Sequence, residues 1–154
     1  MEERKKTKIE GLEIIPLQTH FDDRGYLFEI IHNYEMSKFG RVYMAADPDR
    51  GVIRAFHKHN YSFDNFCIVR GTAKFVFVDD REKSPTYKQQ EVIVTSEKSP
   101  ALIIVPPGIF HGWMSLEDNT ALLTVNSELF DKENPDETRI PPDSFGDVWT
   151  VKGR

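Results

Sequence analysis

From Tyr26 to Phe130 the chain divides its apolar residues into strand-length runs and never sustains a helical period. Runs rich in Val, Ile, Phe and Tyr alternate with Asp22-Asp23-Arg24-Gly25, Asp47-Pro48-Asp49-Arg50-Gly51, Ser84-Pro85 and Pro106-Pro107-Gly108. Gly, Pro and Asp at such positions supply turn geometry, so the pattern predicts an all-β fold. The expected strands cover 26–32, 41–46, 52–58, 65–70, 72–79, 87–95, 101–105, 112–116 and 121–130. A chain with that many short strands must dispose of their unpaired edges, and closing into a barrel or jelly roll does so. Arg70-Gly71-Thr72 is expected to make a hairpin turn, and Glu35 to Phe39 one turn of helix.

With 154 residues, 39% of them hydrophobic, the chain has apolar mass for one core. We expect a charged flexible tail over 1–8 and a single domain over 9–154. After Phe130 the segment DKENPDETRIPPDSFGDVWTVKGR is too rich in Pro, Asp and Glu for regular structure. It should wrap as an irregular C-terminal arm, anchored by Ile140, Phe145, Val148 and Trp149. A net charge of −5 argues against a nucleic-acid partner, which selects for a basic surface. Cys67, the single cysteine, sits in the run Phe66-Cys67-Ile68-Val69 and reads as a buried small hydrophobe. The charged start MEERKKTKIE lacks the apolar stretch of a secretion signal, and no run reaches membrane-spanning length. Both features predict a cytoplasmic protein without a membrane partner.

The chemistry concentrates between Gly51 and Gly71 and again at Pro106 to Gly112. In an extended strand Ala55, His57 and His59 face one way while Arg54, Phe56 and Lys58 face the other. Two histidines can therefore enter one cavity, joined by Asp64 and by His111 from a distant strand. His57, His59, Asp64 and His111 would suit Fe(II), Mn(II), Zn(II) or Ni(II). The same four side chains can equally line a metal-free, hydrogen-bonded pocket. The spacing of Gly51, His57, His59, Asp64 and Gly71 matches the first cupin motif, with Asp where Glu is usual. Pro106 to His111 resembles the core of the second, with Pro100 and Ser115 in place of its Gly and Asn. This resemblance implies the cupin double-stranded β-helix, a jelly-roll barrel.

Four segments carry a narrower resemblance, to dTDP-4-dehydrorhamnose 3,5-epimerase, over about residues 11 to 149. They are Asp22 to Glu29, Gly51 to His57 (GVIRAFH), Asp80 to Tyr87 (DREKSPTY) and Val105 to Gly112 (VPPGIFHG). The resemblance implies a cofactor-free homodimer acting on a dTDP-linked 4-keto-6-deoxysugar. In it His57 is the catalytic base, oriented by an acid whose nearest match is Asp143. Arg24, Glu29 and Arg54 hold the nucleotide diphosphate, the first two often across a dimer interface, and His111 binds a sugar or phosphate oxygen. Arg41 is a further cationic group for the diphosphate. The chemistry is sound, because the C4 carbonyl acidifies C3–H and C5–H, and a neutral imidazole can remove either proton.

Three positions depart from that family's pattern. His59 stands where it has Gln, Asp64 where it has Lys, and Thr124 where it has its tyrosine acid. The first two changes restore cupin metal-ligand types, which keeps open a metal-dependent cupin, an oxygenase or isomerase using His57, His59, Asp64 and His111. His57-Lys58-His59 and Ser127-Glu128-Leu129-Phe130-Asp131 also resemble segments of the cupin sugar 3,4-ketoisomerases. In that alternative Tyr61 and His59 are candidates to supply the second proton. A non-catalytic sugar-nucleotide binder is the remaining reading.

Overall fold

A computed structural model describes residues 3–153. Twelve strands follow in order: β1 (Glu13–Pro16), β2 (Thr19–Asp22), β3 (Gly25–Phe28), β4 (Arg41–Asp47), β5 (Ile53–Lys58), β6 (Asp64–Arg70), β7 (Thr72–Asp79), β8 (Gln90–Ser96), β9 (Ala101–Val105), β10 (Ile109–Ser115), β11 (Thr120–Asn126) and β12 (Thr138–Arg139). One five-stranded sheet runs β1-β9-β6-β11-β4 and the other β12-β5-β10-β7-β8, while β2 and β3 pair only with each other. Phe66, Ile68, Ile103 and Leu122 of the first sheet pack on Phe75, Phe77, Ile109 and Trp113 of the second. Each such side chain contributes about 1.5–3 kcal/mol on leaving water, and their stack closes one end of the barrel. This is the jelly roll that the strand pattern predicts. Among the described residues no helix is long and apolar enough to cross a membrane.

Differences from the expected elements have local causes. The strand expected over 121–130 stops at Asn126, whose side chain accepts from Glu128 N at 2.8 Å and donates to Asp64 at 2.7 Å. That turn takes the backbone off the ladder. The strand expected from 87 begins at Gln90, because buried Asp79 gathers Arg81 (2.8 Å), Ser84 (2.6 Å) and Thr86 (2.7 Å) into a compact turn. Arg70-Gly71-Thr72 is a corner between the two sheets and not a hairpin, since β6 and β7 have different pairing partners. Gly71 has φ +75°, and a Cβ there would meet Thr120 Oγ1 at 2.6 Å. Glu35 to Phe39 makes no helical turn; Glu35 instead accepts from His32 N at 2.6 Å. Residues 1 and 2 of the expected tail lie outside the described residues; Lys5 N bonds Ile14 O at 2.9 Å and Lys8 N bonds Glu91 at 2.7 Å, which ties these two residues to the sheets.

The C-terminal arm packs as expected. Trp149, Phe145, Val148 and Ile140 cover Phe56 on the outer face of β5, and Trp149 Nε1 donates to Pro142 O at 2.9 Å. β12 adds to the edge of β5, with Arg139 opposite His57 and Thr138 opposite Lys58. The arm thereby carries residues 136–139 to the cavity mouth. Cys67 is fully buried, and burial pushes its thiol up to about 12, as expected of a packing residue.

Candidate active site

The open end of the barrel holds a cavity of about 550 Å³ whose walls come from both sheets. Alternation delivers Ala55, His57 and His59 from β5 and the residues beyond it, while Phe56 is turned outward and fully buried beneath the arm. β10 supplies His111 and Gly112. A Cβ on Gly112 would lie 2.4 Å from Ala55 Cβ, so only glycine lets β5 and β10 approach this closely. Between His111↔His57 and Trp113↔Arg54 the register slips, leaving one extra residue on β5. Such a bulge re-aims side chains, and it turns Arg54 into the cavity instead of away from it as simple alternation predicts. Arg54 Nε reaches buried Asp47 at 2.8 Å.

His57 Nδ1 is hydrogen-bonded to the Glu137 carboxylate, which also accepts from Arg139 at 2.9 Å. Burial pulls the His57 pKa below its ordinary value, and the Glu137 bond and charge offset only part of that. Burial opposes ionisation of Glu137, but Arg139 and His57 outweigh it and hold the carboxyl below its usual range. The result is a neutral imidazole whose Nδ1 proton is held and whose Nε2 is not committed to Glu137.

His59, Asp64 and His111 form a separate buried network. Asp64 Oδ2 takes His59 Nε2 at 3.0 Å and His111 Nε2 at 3.2 Å, and its Oδ1 takes Asn126. Burial disfavours the Asp64 charge, yet the bonds from His111 and His59 outweigh it and hold the carboxyl far below the carboxylate range. Burial likewise disfavours His59 imidazolium, but Asp64, the Asp136 carbonyl on Nδ1 and the Asp136 charge outweigh it, so the His59 pKa is raised. His111 Nδ1 donates to Ile109 O at 3.0 Å. These three residues place their ligand-type atoms within 4.8 Å of one another. His57 does not join the quartet expected from the spacing: the group of close ligand-type atoms comprises His59, Asp64 and His111, while His57 pairs with Glu137.

Several other expected residues stand elsewhere. Asp143 is exposed on the arm and does not orient His57; its carbonyl closes a turn to Gly146 N, and Glu137 takes the orienting place. Tyr61 is 59% exposed and outside the main cavity. The cause is Asp136, whose carboxylate accepts from Asn60 N, Tyr61 N and Ser62 N at 2.8, 3.2 and 2.9 Å and turns the chain outward. Arg24 lies on the β2–β3 hairpin, its side chain 88% exposed and paired with Asp22, and Glu29 contacts His32 Nε2 at 3.1 Å. Neither reaches the cavity of its own chain. Arg41 does, its guanidinium 5.1 Å from the Tyr43 ring and 5.0 Å from the Phe130 ring. Glu137, Arg139 and Tyr43 carried no sequence signal: the first two stand in the irregular arm and the third in an edge strand.

Two antiparallel sheets enclosing a histidine-lined cavity define a cupin. Residues 6–151 match the sequence family described as dTDP-4-dehydrorhamnose 3,5-epimerase. The chain is 32% identical over 151 residues to the spore coat polysaccharide biosynthesis protein SpsL of Bacillus subtilis, covering 95% of this chain and 99% of that one. It is 34% identical over 141 residues to a probable low-salt glycan biosynthesis epimerase of Haloferax volcanii, covering 88% and 89%. The crystal structure of dTDP-4-dehydrorhamnose 3,5-epimerase from Bacillus anthracis, with TDP and PPi bound, superposes with a TM-score of 0.86 at 20% identity, over 98% of this chain and 91% of that one. The chain belongs to the dTDP-4-dehydrorhamnose 3,5-epimerase family and is a nucleotide-sugar epimerase or isomerase of that kind. The metal-dependent oxygenase or isomerase alternative draws no support from these relatives.

Proposed function

We propose that this protein inverts a carbon next to the carbonyl of a dTDP-linked 4-keto-6-deoxysugar, with His57 as the base and no cofactor. The observation that carries this reading is the His57–Glu137 pair in the cavity wall. Glu137 fixes the imidazole tautomer, so Nε2 is the basic nitrogen, and burial keeps it unprotonated at neutral pH. Arg41, Arg54 and Arg139 line the cavity and suit a diphosphate. His111 lines the same cavity, with both ring nitrogens engaged by Asp64 and Ile109 O.

The direct test is NMR of a dTDP-linked 4-keto-6-deoxyhexose in deuterated water. We expect deuterium at C3, C5 or both, together with inverted product. Because the base must be neutral and its pKa is lowered, kcat/KM should rise with pH through a midpoint below 6.5 and be flat at neutral pH. A carbonyl found at C3 instead would assign the 3,4-ketoisomerase alternative, and dTDP binding without exchange the non-catalytic one.

A homodimer completes this reading. Among the described residues the β2–β3 hairpin pairs with no other strand and exposes Phe21, Tyr26 and Leu27, while Val42 and Met44 face outward from edge strand β4. Pairing of two copies would cover these residues and bring Arg24 and Glu29 to the partner's cavity. Sedimentation equilibrium should give twice the chain mass; a monomer under assay conditions would remove this part of the proposal.

A further inference from the structure

Inversion at carbon needs a proton donor on the face of the sugar opposite to the base. His57 projects from β5, so the donor must come from the facing wall, which is built by β4, β6 and β11. On that wall Ala45, Phe66 and Leu122 carry no transferable proton. Arg41 does not give up its proton in proteins. Asp64 is a carboxylate already engaged by two histidines. Thr124 occupies the wall but is far too weak an acid. Among the described residues of that wall, Tyr43 alone remains.

Resting on the epimerase reading above, we propose that the Tyr43 hydroxyl is the catalytic acid of this protein, returning a proton to the sugar carbon from the face opposite His57. Tyr43 lies directly across from Thr124 in the β4–β11 pairing, and both side chains line the cavity. Opposed residues in an antiparallel pair share one face, so the Tyr43 phenol comes against the Thr124 hydroxyl. Thr124 is fully buried and its Oγ1 has no hydrogen-bond partner of ordinary geometry, which leaves a polar atom beside the phenol. Tyr43 as a residue is 40% exposed and lines the cavity, through which solvent would reprotonate it. Arg41 over the ring places a positive charge beside the phenolate that proton donation creates. Burial first, and then the Asp64 and Glu137 charges, raise the phenol pKa above its ordinary value despite Thr124 and Arg41, so it remains protonated at neutral pH.

The step balances without an oxidant or reductant. The C–H bond next to the carbonyl breaks, its proton goes to His57 Nε2 and its electron pair enters the enolate. A new C–H bond then forms on the other face with the Tyr43 proton. Solvent reprotonates the phenolate and takes the proton from His57.

Tyr43→Phe separates the two half-reactions, because it leaves the base in place. We expect dTDP affinity within about twofold of wild type, solvent deuterium still entering the substrate within about fivefold of the wild-type rate, and inverted product reduced about 100-fold or more. Inversion at the wild-type rate would overturn the assignment. So would exchange and inversion falling in the same proportion, since that marks a positioning defect. The two readings fail differently. If wild type inverts and the variant equals it, Tyr43 alone is wrong; if wild type neither exchanges nor inverts, the epimerase reading falls and this role with it.

Discussion

Replacing His57 with Asn should lower kcat/KM for epimerisation about 1,000-fold and abolish solvent-deuterium entry into the keto sugar, while dTDP still binds. The size follows from the loss of a general base, which contributes roughly 10²–10⁴-fold. Loss of exchange distinguishes this variant from Tyr43→Phe, in which exchange survives. Glu137→Gln is the companion. It keeps a hydrogen-bond partner for Nδ1 but removes the charge that partly offsets burial, so the His57 pKa should drop further. The acid limb of kcat/KM should then move to lower pH, with the plateau reduced about tenfold or more through a weaker base. Asp143→Asn should leave both limb and plateau unchanged, because Asp143 is exposed and bonded elsewhere. A shift in Asp143→Asn with none in Glu137→Gln would return the orienting role to the arm's Pro-rich segment.

The largest loss of stability is expected from Asp64→Asn. Asp64 is 2% exposed, and its two oxygens serve His59, His111 and Asn126. Asn offers one acceptor oxygen and turns an NH₂ group toward a donor, leaving buried polar atoms unpaired. Breaking such a buried charged network costs about 3 kcal/mol. The cost should depend on pH. The Asp64 pKa is depressed on folding, so its contribution is present above the unfolded value near 3.9 and is lost as pH falls through the folded one. The His59 pKa is raised, so its contribution is full below 6.5 and fades as pH rises through the folded value. Urea unfolding should therefore separate wild type and variant most between about pH 4 and 6.5, with a narrower gap at pH 3. A gap below about 0.5 kcal/mol at pH 5.5, unchanged at pH 3, would mean that the network does not hold the cavity floor.

That network also bears on the departures from the family pattern. His59 and Asp64 stand together where the family has Gln and Lys, and the structure joins them at 3.0 Å. Each change supplies what the other needs, a carboxylate for an imidazolium, so the pair is stable without a metal. The tyrosine missing at Thr124 has a counterpart directly across the ladder, at Tyr43. Two of the departures thus answer each other, and the third is answered by a neighbouring strand.

What could be read without a structure follows from local rules. Turn residues and strand-length runs yield the all-β class, and the period of two in β5 separates His57 and His59 from Phe56, as observed. Apolar anchors in an irregular tail predict that the arm packs, and Trp149 and Phe145 do pack on Phe56. These features depend on neighbours in sequence, where sterics and burial act over a few residues. The chemistry of the site depends on neighbours in space. Glu137 meets His57 only because β12 adds to the edge of β5, and two residues of pairing leave no periodic signal. Arg54 enters the cavity only because one extra residue on β5 breaks the alternation. Tyr43 comes against Thr124, on the wall opposite the base, only because β4 is the last strand beside β11. Register, bulges and strand order are settled by the packing of two whole sheets, and no short stretch of the chain contains them.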